Sequence, residues 1–201
     1  MSAMWRGLRQ MPCPDGLLAV PDLLSEAEEA ALLAAVHAAP WDETLSRRVQ
    51  HYGHRYAYAR RASATGPVAD VPEWALQLYA TCCAAAAGAD LAAAPGELQV
   101  IVNEYLPGQG IAAHIDDRQQ FGDWVVAVSL GGACEMEFVS RRTGDKHRVR
   151  LAPRSMYAMT GDSRHRWTHA IAARKSDPAP GGGRVARATR VSITFRSLRR
   201  M

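Results

Sequence analysis

Four cysteines in 201 residues, none at a paired spacing, exclude a disulfide framework. The adjacent Cys82 and Cys83 sit in an apolar stretch and read as small core residues. A chain of this length buries enough apolar surface to fold without cross-links, so a reducing, cytoplasmic setting is expected. Long apolar runs are also missing. The richest segment, Tyr79 to Ala94, is mostly alanine and is broken by Gly88 and Asp90, too short to span a bilayer. The opening MSAMWRGLRQMPCPDGLL has no uninterrupted apolar stretch of the signal-peptide kind. No internal repeat is visible. What remains, at 48% hydrophobic content, predicts one soluble globular domain over residues 1–201 with no membrane partner.

The formal net charge of +4 hides an asymmetry. Residues 1–140 carry 8 lysines and arginines against 17 acids, whereas residues 141–201 carry 16 against 3. Such a split either recombines into a mixed surface on folding or leaves a basic face that attracts a polyanion. Composition leaves both open.

The N-terminal part, to about residue 97, reads as helical with an arginine–tyrosine segment, and residues 98–201 as the β core. Ser25-Glu26-Ala27-Glu28 fits a capping box, predicting a helix that ends near Ala39, before Pro40. A second helix is expected from Asp70-Val71-Pro72-Glu73, with Gly88 as its stop. From Leu98 the texture changes to short segments rich in Val, Ile, Tyr, Phe and Thr: LQVIVNEYL, WVVAVSL, EMEFVS, HRVRLA, SMYAMT, WTHAI and RVSITFR. Turn signals punctuate them. Many short strands with flanking helices predict a mainly β fold, a sandwich or jelly roll with two helices packed outside. Residues 177–183, DPAPGGG, read as a flexible loop.

Chemistry concentrates in the second half. Residues two apart in a strand share a face, so His114 and Asp116 are expected to point at one ion, with His169 of WTHAI as the third ligand. Two histidines and a carboxylate leave open positions on Fe(II), the facial arrangement of non-haem iron oxygenases. A zinc hydrolase could use the same three ligands, but the last strand argues against it. Its alternation puts Arg190, Ser192, Thr194 and Arg196 on one face and Val191, Ile193 and Phe195 on the other. Two inward-facing arginines need an anion, and a dicarboxylate held by guanidinium groups meets that need. The plainer alternative is a solvent-facing edge strand. Asn103 and Tyr105 share the spacing of two and offer hydrogen bonds to the same carboxylate.

Together these residues resemble the AlkB family of Fe(II)/2-oxoglutarate-dependent dioxygenases. The elements are Asn103-x-Tyr105, Gly108, Ile111-x-x-His114-x-Asp116, Ser129-Leu130, Arg154-Ser155, Gly161, Arg164, Trp167-x-His169, and Arg190 followed by Thr194-Phe195-Arg196. PGQGIAAHID, MTGDSRHRWTH and SITFR look most similar to the family member that hydroxylates a modified wobble uridine in tRNA. The resemblance implies a double-stranded β-helix in which His114, Asp116 and His169 bind iron. It implies that Arg190 pairs with the distal carboxylate of 2-oxoglutarate, with Asn103, Tyr105 and Ser192 beside it and Arg196 near the iron-bound end. The implied reaction couples decarboxylation of 2-oxoglutarate by O2, giving succinate and carbon dioxide, to hydroxylation of a substrate C–H bond. On an N-methyl group the resulting alcohol collapses and releases formaldehyde.

For the substrate, RRVQHYGHRYAYARR (residues 47–61) interleaves arginines with Tyr52, Tyr56 and Tyr58. Aromatic faces and guanidiniums suit an extruded or single-stranded nucleotide, and the segment is similar in position to the AlkB nucleotide-recognition lid. An amphipathic strand whose tyrosines cover the sheet is the alternative. Members that repair 1-methyladenine and 3-methylcytosine carry an acid four residues after the first iron histidine, where this chain has Arg118. A guanidinium cannot accept a hydrogen bond from a base amino group, which points to a different base, an RNA, or no base. Two expectations follow: oxidation of a nucleic-acid base in DNA or RNA, by demethylation in repair or by hydroxylation of a tRNA base, or a protein- or small-molecule-directed dioxygenase of the same fold.

Overall fold

The computed structural model describes residues 13–44, 46–54, 68–86, 88–93, 97–179 and 181–199. Helix α1 spans Glu26–Ala38. The Ser25 hydroxyl accepts the Glu28 N–H at 3.2 Å, and the Glu28 carboxylate accepts the Ser25 N–H at 2.7 Å, the expected capping box. Ala39 ends the helix because the residue before a proline is pushed out of helical geometry. Helix α2, Glu73–Ala85, starts after Pro72. It closes on Ala86, whose N–H reaches the Cys82 carbonyl. Gly88, at φ +97°, carries the chain away rather than ending the helix itself.

Six strands form the larger sheet: β1 (Leu17–Val20), β2 (Val49–Tyr52), β3 (Leu98–Tyr105), β5 (Phe121–Gly131), β8 (Ser155–Met159) and β12 (Arg190–Leu198). Their order is β1-β8-β5-β12-β3-β2. The smaller sheet holds β4 (Ile111–His114), β6 (Cys134–Ser140), β7 (Lys146–Leu151) and β9 (Trp167–Ile171) in the order β4-β9-β6-β7. All the paired strands are antiparallel. A short helix α3 (Gly161–His165) precedes β9, and a hairpin of β10 (Ser176–Pro178) and β11 (Arg184–Ala186) precedes β12. The expected strands from Leu98 onward are all present. β1 and β2, four residues each, lie outside that region and complete the edges of the larger sheet.

The segment read as a flexible loop is pinned at its start. Asp177, in β10, accepts from Arg187 Nε at 2.7 Å and Nη2 at 2.8 Å, and from Arg174 Nε at 2.7 Å. Proline and glycine signal the turn correctly, but nothing local to residues 177–183 announces ion pairs supplied by residues outside it.

Strand alternation divides the core. Val100 and Val102 of β3, Val126, Val128 and Leu130 of β5, and Val191, Ile193 and Phe195 of β12 pack with Val36 of α1 and Ala75, Leu78, Tyr79 and Cys82 of α2. The opposite residues, Val125 and Ala127, meet Met136, Phe138, Trp167 and Ile171 of the smaller sheet. Each such buried aliphatic or aromatic side chain contributes about 1.5–3 kcal/mol, so the faces of β3, β5 and β12 are locked. The polar alternates on β12 and β3 are thereby turned toward the space between the sheets. Among the described residues, no helix is long and apolar enough to cross a membrane.

Candidate metal and co-substrate site

His114 is the last residue of β4 and lies directly across from His169 of β9 in the antiparallel register. Their ring centroids are 4.3 Å apart. Asp116 arrives differently from the expectation. It lies beyond the end of β4, in the connection to β5, so strand alternation does not aim it. Two arginines do. Arg164 of α3, 1% exposed, donates to the Asp116 carbonyl at 2.9 Å and the Gly122 carbonyl at 3.2 Å. Arg196 of β12 pairs with Asp116 Oδ1 at 2.6 Å.

The three side chains offer ligand atoms that all lie within 4.8 Å of one another. Asp116 Oδ2 is buried with no hydrogen-bond donor and faces His169 Nε2 at 3.5 Å. A buried carboxylate oxygen left without a donor is costly unless a cation meets it. The His114 Nδ1 lies 2.8 Å from the Ala112 carbonyl, which fixes the proton there and frees Nε2. Burial pushes His169 down to about 4 despite the pull of Asp116, so its imidazole is neutral near pH 7. Burial would raise Asp116, but Arg196, His169 and His114 hold it well below the usual carboxylate range. A neutral His169 imidazole and an ionised Asp116 carboxylate are the protonation states a metal requires of them. The donor set fits a divalent iron with open positions.

A cavity of about 510 Å³ runs from these ligands between the sheets to Arg190. Arg190 is 3% exposed and donates only to hydroxyls: Ser129 Oγ at 3.0 Å and 2.7 Å, and Ser192 Oγ at 3.3 Å. No carboxylate pairs with it among the described residues. A buried guanidinium held by two serines and facing a cavity is suited to seat an anion. Ser192, Thr194 and Arg196 line the same cavity, so the polar face of β12 is inward and the edge-strand alternative falls. Asn103 and Tyr105 of the adjacent strand β3, paired with Ser192 and Arg190 in register, line the same wall. Burial pushes the Tyr105 phenol up, against the pull of Arg47 and Arg190, so it stays a neutral donor.

Three residues that line the cavity or hold its lining arginines escaped the sequence reading as site residues. Arg47 donates to Asn103 Oδ1 at 2.9 Å and stacks 5.7 Å from the Tyr105 ring centre. Its neighbours in the arginine–tyrosine segment suggested a nucleotide contact, whereas it braces the co-substrate wall. Asn103 consequently has its amide nitrogen, not its oxygen, available to an anion. Gln99 accepts from Arg196 Nη1 at 2.9 Å, and Ser129, noted only as a family element, holds Arg190. Tyr52, expected to stack on substrate, belongs to the apolar core. It is 8% exposed, edge-on to Trp74, with its hydroxyl donated to Gln50 at 3.2 Å. The physical reason is its pairing with Val100 in the sheet, which turns it toward α2 and away from the cavity. Tyr56 and Tyr58 lie outside the described residues. Arg118 is not in the main cavity but lines a second hollow beside it.

A jelly roll with a two-histidine, one-carboxylate metal set at one end of its cavity and a buried arginine at the other defines a metal-dependent oxygenase that uses an anionic co-substrate. The chain belongs to the 2OG-Fe(II) oxygenase superfamily, whose profile matches residues 16–196. The cofactor of that family is Fe(II), and its co-substrates are 2-oxoglutarate and O2. Within the superfamily the relatives are of AlkB type. The chain is 33% identical over 208 residues to the alkylated DNA repair protein ALKBH8 homolog of Arabidopsis thaliana, covering 92% of this chain and 58% of that one. It is 32% identical over 231 residues to the tRNA (carboxymethyluridine(34)-5-O)-methyltransferase ALKBH8 of Mus musculus, covering 99% and 33%. The chain therefore spans less than two thirds of these curated relatives. The solved structure of OsALKBH1 superposes with a TM-score of 0.64 at 18% identity, covering 94% of this chain and all of that one, which supports the shared fold.

Proposed function

We propose that this chain oxidises a C–H bond on a nucleic-acid base, either demethylating an alkylated base or hydroxylating a modified base of tRNA. The observation that carries the chemistry is Arg190, a buried cation held by serine hydroxyls, with no carboxylate partner among the described residues, at the end of a cavity whose other end holds His114, Asp116 and His169. The nucleic-acid substrate is supported by the AlkB-type relatives, whose names tie them to DNA repair and to tRNA uridine 34. Action in the reducing cytoplasm is part of the proposal, supported by the four unpaired cysteines.

In this reading His114 Nε2, Asp116 Oδ2 and His169 hold iron. Arg190, steadied by Ser129 and Ser192, takes the distal carboxylate of 2-oxoglutarate, and the Asn103 amide and Tyr105 phenol donate to the same molecule. Arg196 neutralises Asp116 Oδ1, leaving Oδ2 as the atom presented to the metal. Bound there, iron supplies the redox chemistry that converts 2-oxoglutarate, O2 and R–H into succinate, carbon dioxide and R–OH. The chain's own part is orientation and exclusion of water by the Ile101, Met136, Tyr157 and Ile171 walls of the cavity.

Nucleoside mass spectrometry after incubation with methylated DNA, methylated RNA and bulk tRNA tests the substrate class. An oxidised or demethylated nucleoside in any pool, matched by succinate, is expected. Succinate production with every pool unchanged would move the substrate to a protein or small molecule. Arg190→Ala and His169→Ala are each expected to lower succinate production at least about a hundredfold, the scale on which loss of a transition-state or positioning contact acts. Full turnover in either variant overturns the site.

A further inference from the structure

Beside the metal ligands lies a second hollow of about 450 Å³. Ile115, Asp116 and Asp117 line both it and the main cavity, so the two spaces share the wall that carries the metal carboxylate. The remaining lining comes from Arg118, Gln119, Arg141 and Thr168.

Three chain segments bring the two arginines together. Arg118 sits in the β4–β5 connection, and Arg141 directly follows β6. Ser140 pairs with Trp167, and the Arg141 N–H donates to the Arg166 carbonyl at 3.0 Å, so the end of β6 runs beside the start of β9. Arg118 lines the same hollow, its guanidinium donating to the His165 carbonyl at 3.4 Å. Neither guanidinium has a carboxylate partner among the described residues. Asp117, which lines the same hollow, is occupied within its own turn, accepting the Gln119 N–H at 2.7 Å and the Gln120 N–H at 3.4 Å. By contrast, Arg148 of β7 is paired with Glu135 and Glu137, and Arg174 beyond β9 with Glu135 and Asp177. Two guanidiniums without a carboxylate partner among the described residues therefore line one hollow beside the metal site.

We propose that this hollow seats a backbone phosphate next to the nucleotide whose base enters the metal cavity, with Arg118 and Arg141 as its two cationic contacts. The inference rests on the nucleic-acid reading above and adds to it a location and a contact type. Guanidinium groups take phosphate oxygens in bidentate fashion. A phosphate there anchors the strand through contacts that carry no base information.

The test is the salt dependence of binding to a labelled single-stranded oligoribonucleotide and to bulk tRNA. Each phosphate neutralised on a single strand adds about 0.7 to the slope of log affinity against log salt. Arg118→Ala/Arg141→Ala removes both contacts to that one phosphate and is expected to lower the slope by about 0.7, with an unchanged melting temperature. Arg118→Lys/Arg141→Lys, which keeps both charges, is expected to retain the wild-type slope. A control pair, Lys175→Ala/Arg184→Ala at the β10–β11 hairpin, removes the same charge elsewhere and is expected to leave the slope unaltered. If the wild-type protein binds with a steep slope and the alanine pair leaves it intact, the hollow is not a phosphate seat. An equal loss in the control pair overturns it as well. If the wild-type protein shows no salt-dependent binding to either probe, the nucleic-acid reading itself fails, an outcome distinct from the other two.

Discussion

Gln99 is the residue whose role the sequence conceals most completely. It is fully buried, its Oε1 accepts from Arg196 Nη1 at 2.9 Å, and Arg196 in turn pairs with Asp116 Oδ1 at 2.6 Å. Gln99 thus positions the arginine that positions the metal carboxylate. Second-sphere partners of this kind set metal affinity by about 10–100-fold. Gln99→Leu is expected to weaken Mn(II) binding at least about tenfold, read by calorimetric titration without oxygen, whereas Gln99→Glu keeps an acceptor and stays closer to wild type. Unchanged Mn(II) affinity in the leucine variant would remove Gln99 from the site. The histidines were legible because metal ligands form an uncommon pattern of residue types. A glutamine in an apolar strand has no such signature, since its partner lies 97 residues away. Tyr52 failed in the opposite direction: a tyrosine among arginines looks like a stacking platform until the sheet register turns it inward.

At the scale of elements, two junctions hold the site in register. Gly110 precedes β4, and a Cβ there would collide with the backbone carbonyl of Ile171 at the end of β9. Only glycine allows the two backbones to approach so closely. Gly110→Ala is expected to displace β4 from β9, separate His114 from His169 and lower both melting temperature and Mn(II) affinity. A variant with wild-type values for both would show that β4 is positioned without this contact. The second junction is Asp177, 3% exposed and clamped by Arg174 and Arg187. Burial would raise its carboxyl, but hydrogen bonds from the two arginines hold it lowered. Its folded value lies below the unfolded one of about 3.9, so its stabilisation is complete above that pH and is lost as pH falls through the lowered folded value. Asp177→Asn strands two guanidiniums and is expected to cost about 3 kcal/mol at neutral pH, with a shallower loss of stability below about pH 4 in acid-unfolding curves. The strands from Leu98 onward were legible because their alternation is strict; β10 and β11 were not, because long-range ion pairs rather than hydrophobic period hold them.

Over the whole molecule, the helices and the smaller sheet clamp opposite faces of the larger sheet, and the cavity between the sheets is lined by the polar faces of β12 and β3. The capping box, the β12 alternation and the His–Asp–His set were each readable as local patterns, yet their convergence depends on β5, β12 and β3 lying side by side. That architecture couples ligand binding to global stability, because the metal and the anion would satisfy Asp116 Oδ2 and Arg190 only in the folded state. A ligand at a hundredfold excess over its dissociation constant adds about 2.7 kcal/mol. In a domain of this size each kcal/mol raises the melting temperature by about 2–4 °C, so Mn(II) and then 2-oxoglutarate are each expected to raise it by about 5–11 °C in anaerobic melts. Arg190→Met should keep the Mn(II) increment and lose most of the 2-oxoglutarate increment, because only the distal anion seat is gone. His169→Ala should lose both, since the co-substrate's keto-acid end has no metal to meet. A wild-type midpoint that moves with neither ligand would mean that the buried arginine and the orphaned carboxylate oxygen are satisfied some other way, and the coupling between the two ends of the cavity would be refuted.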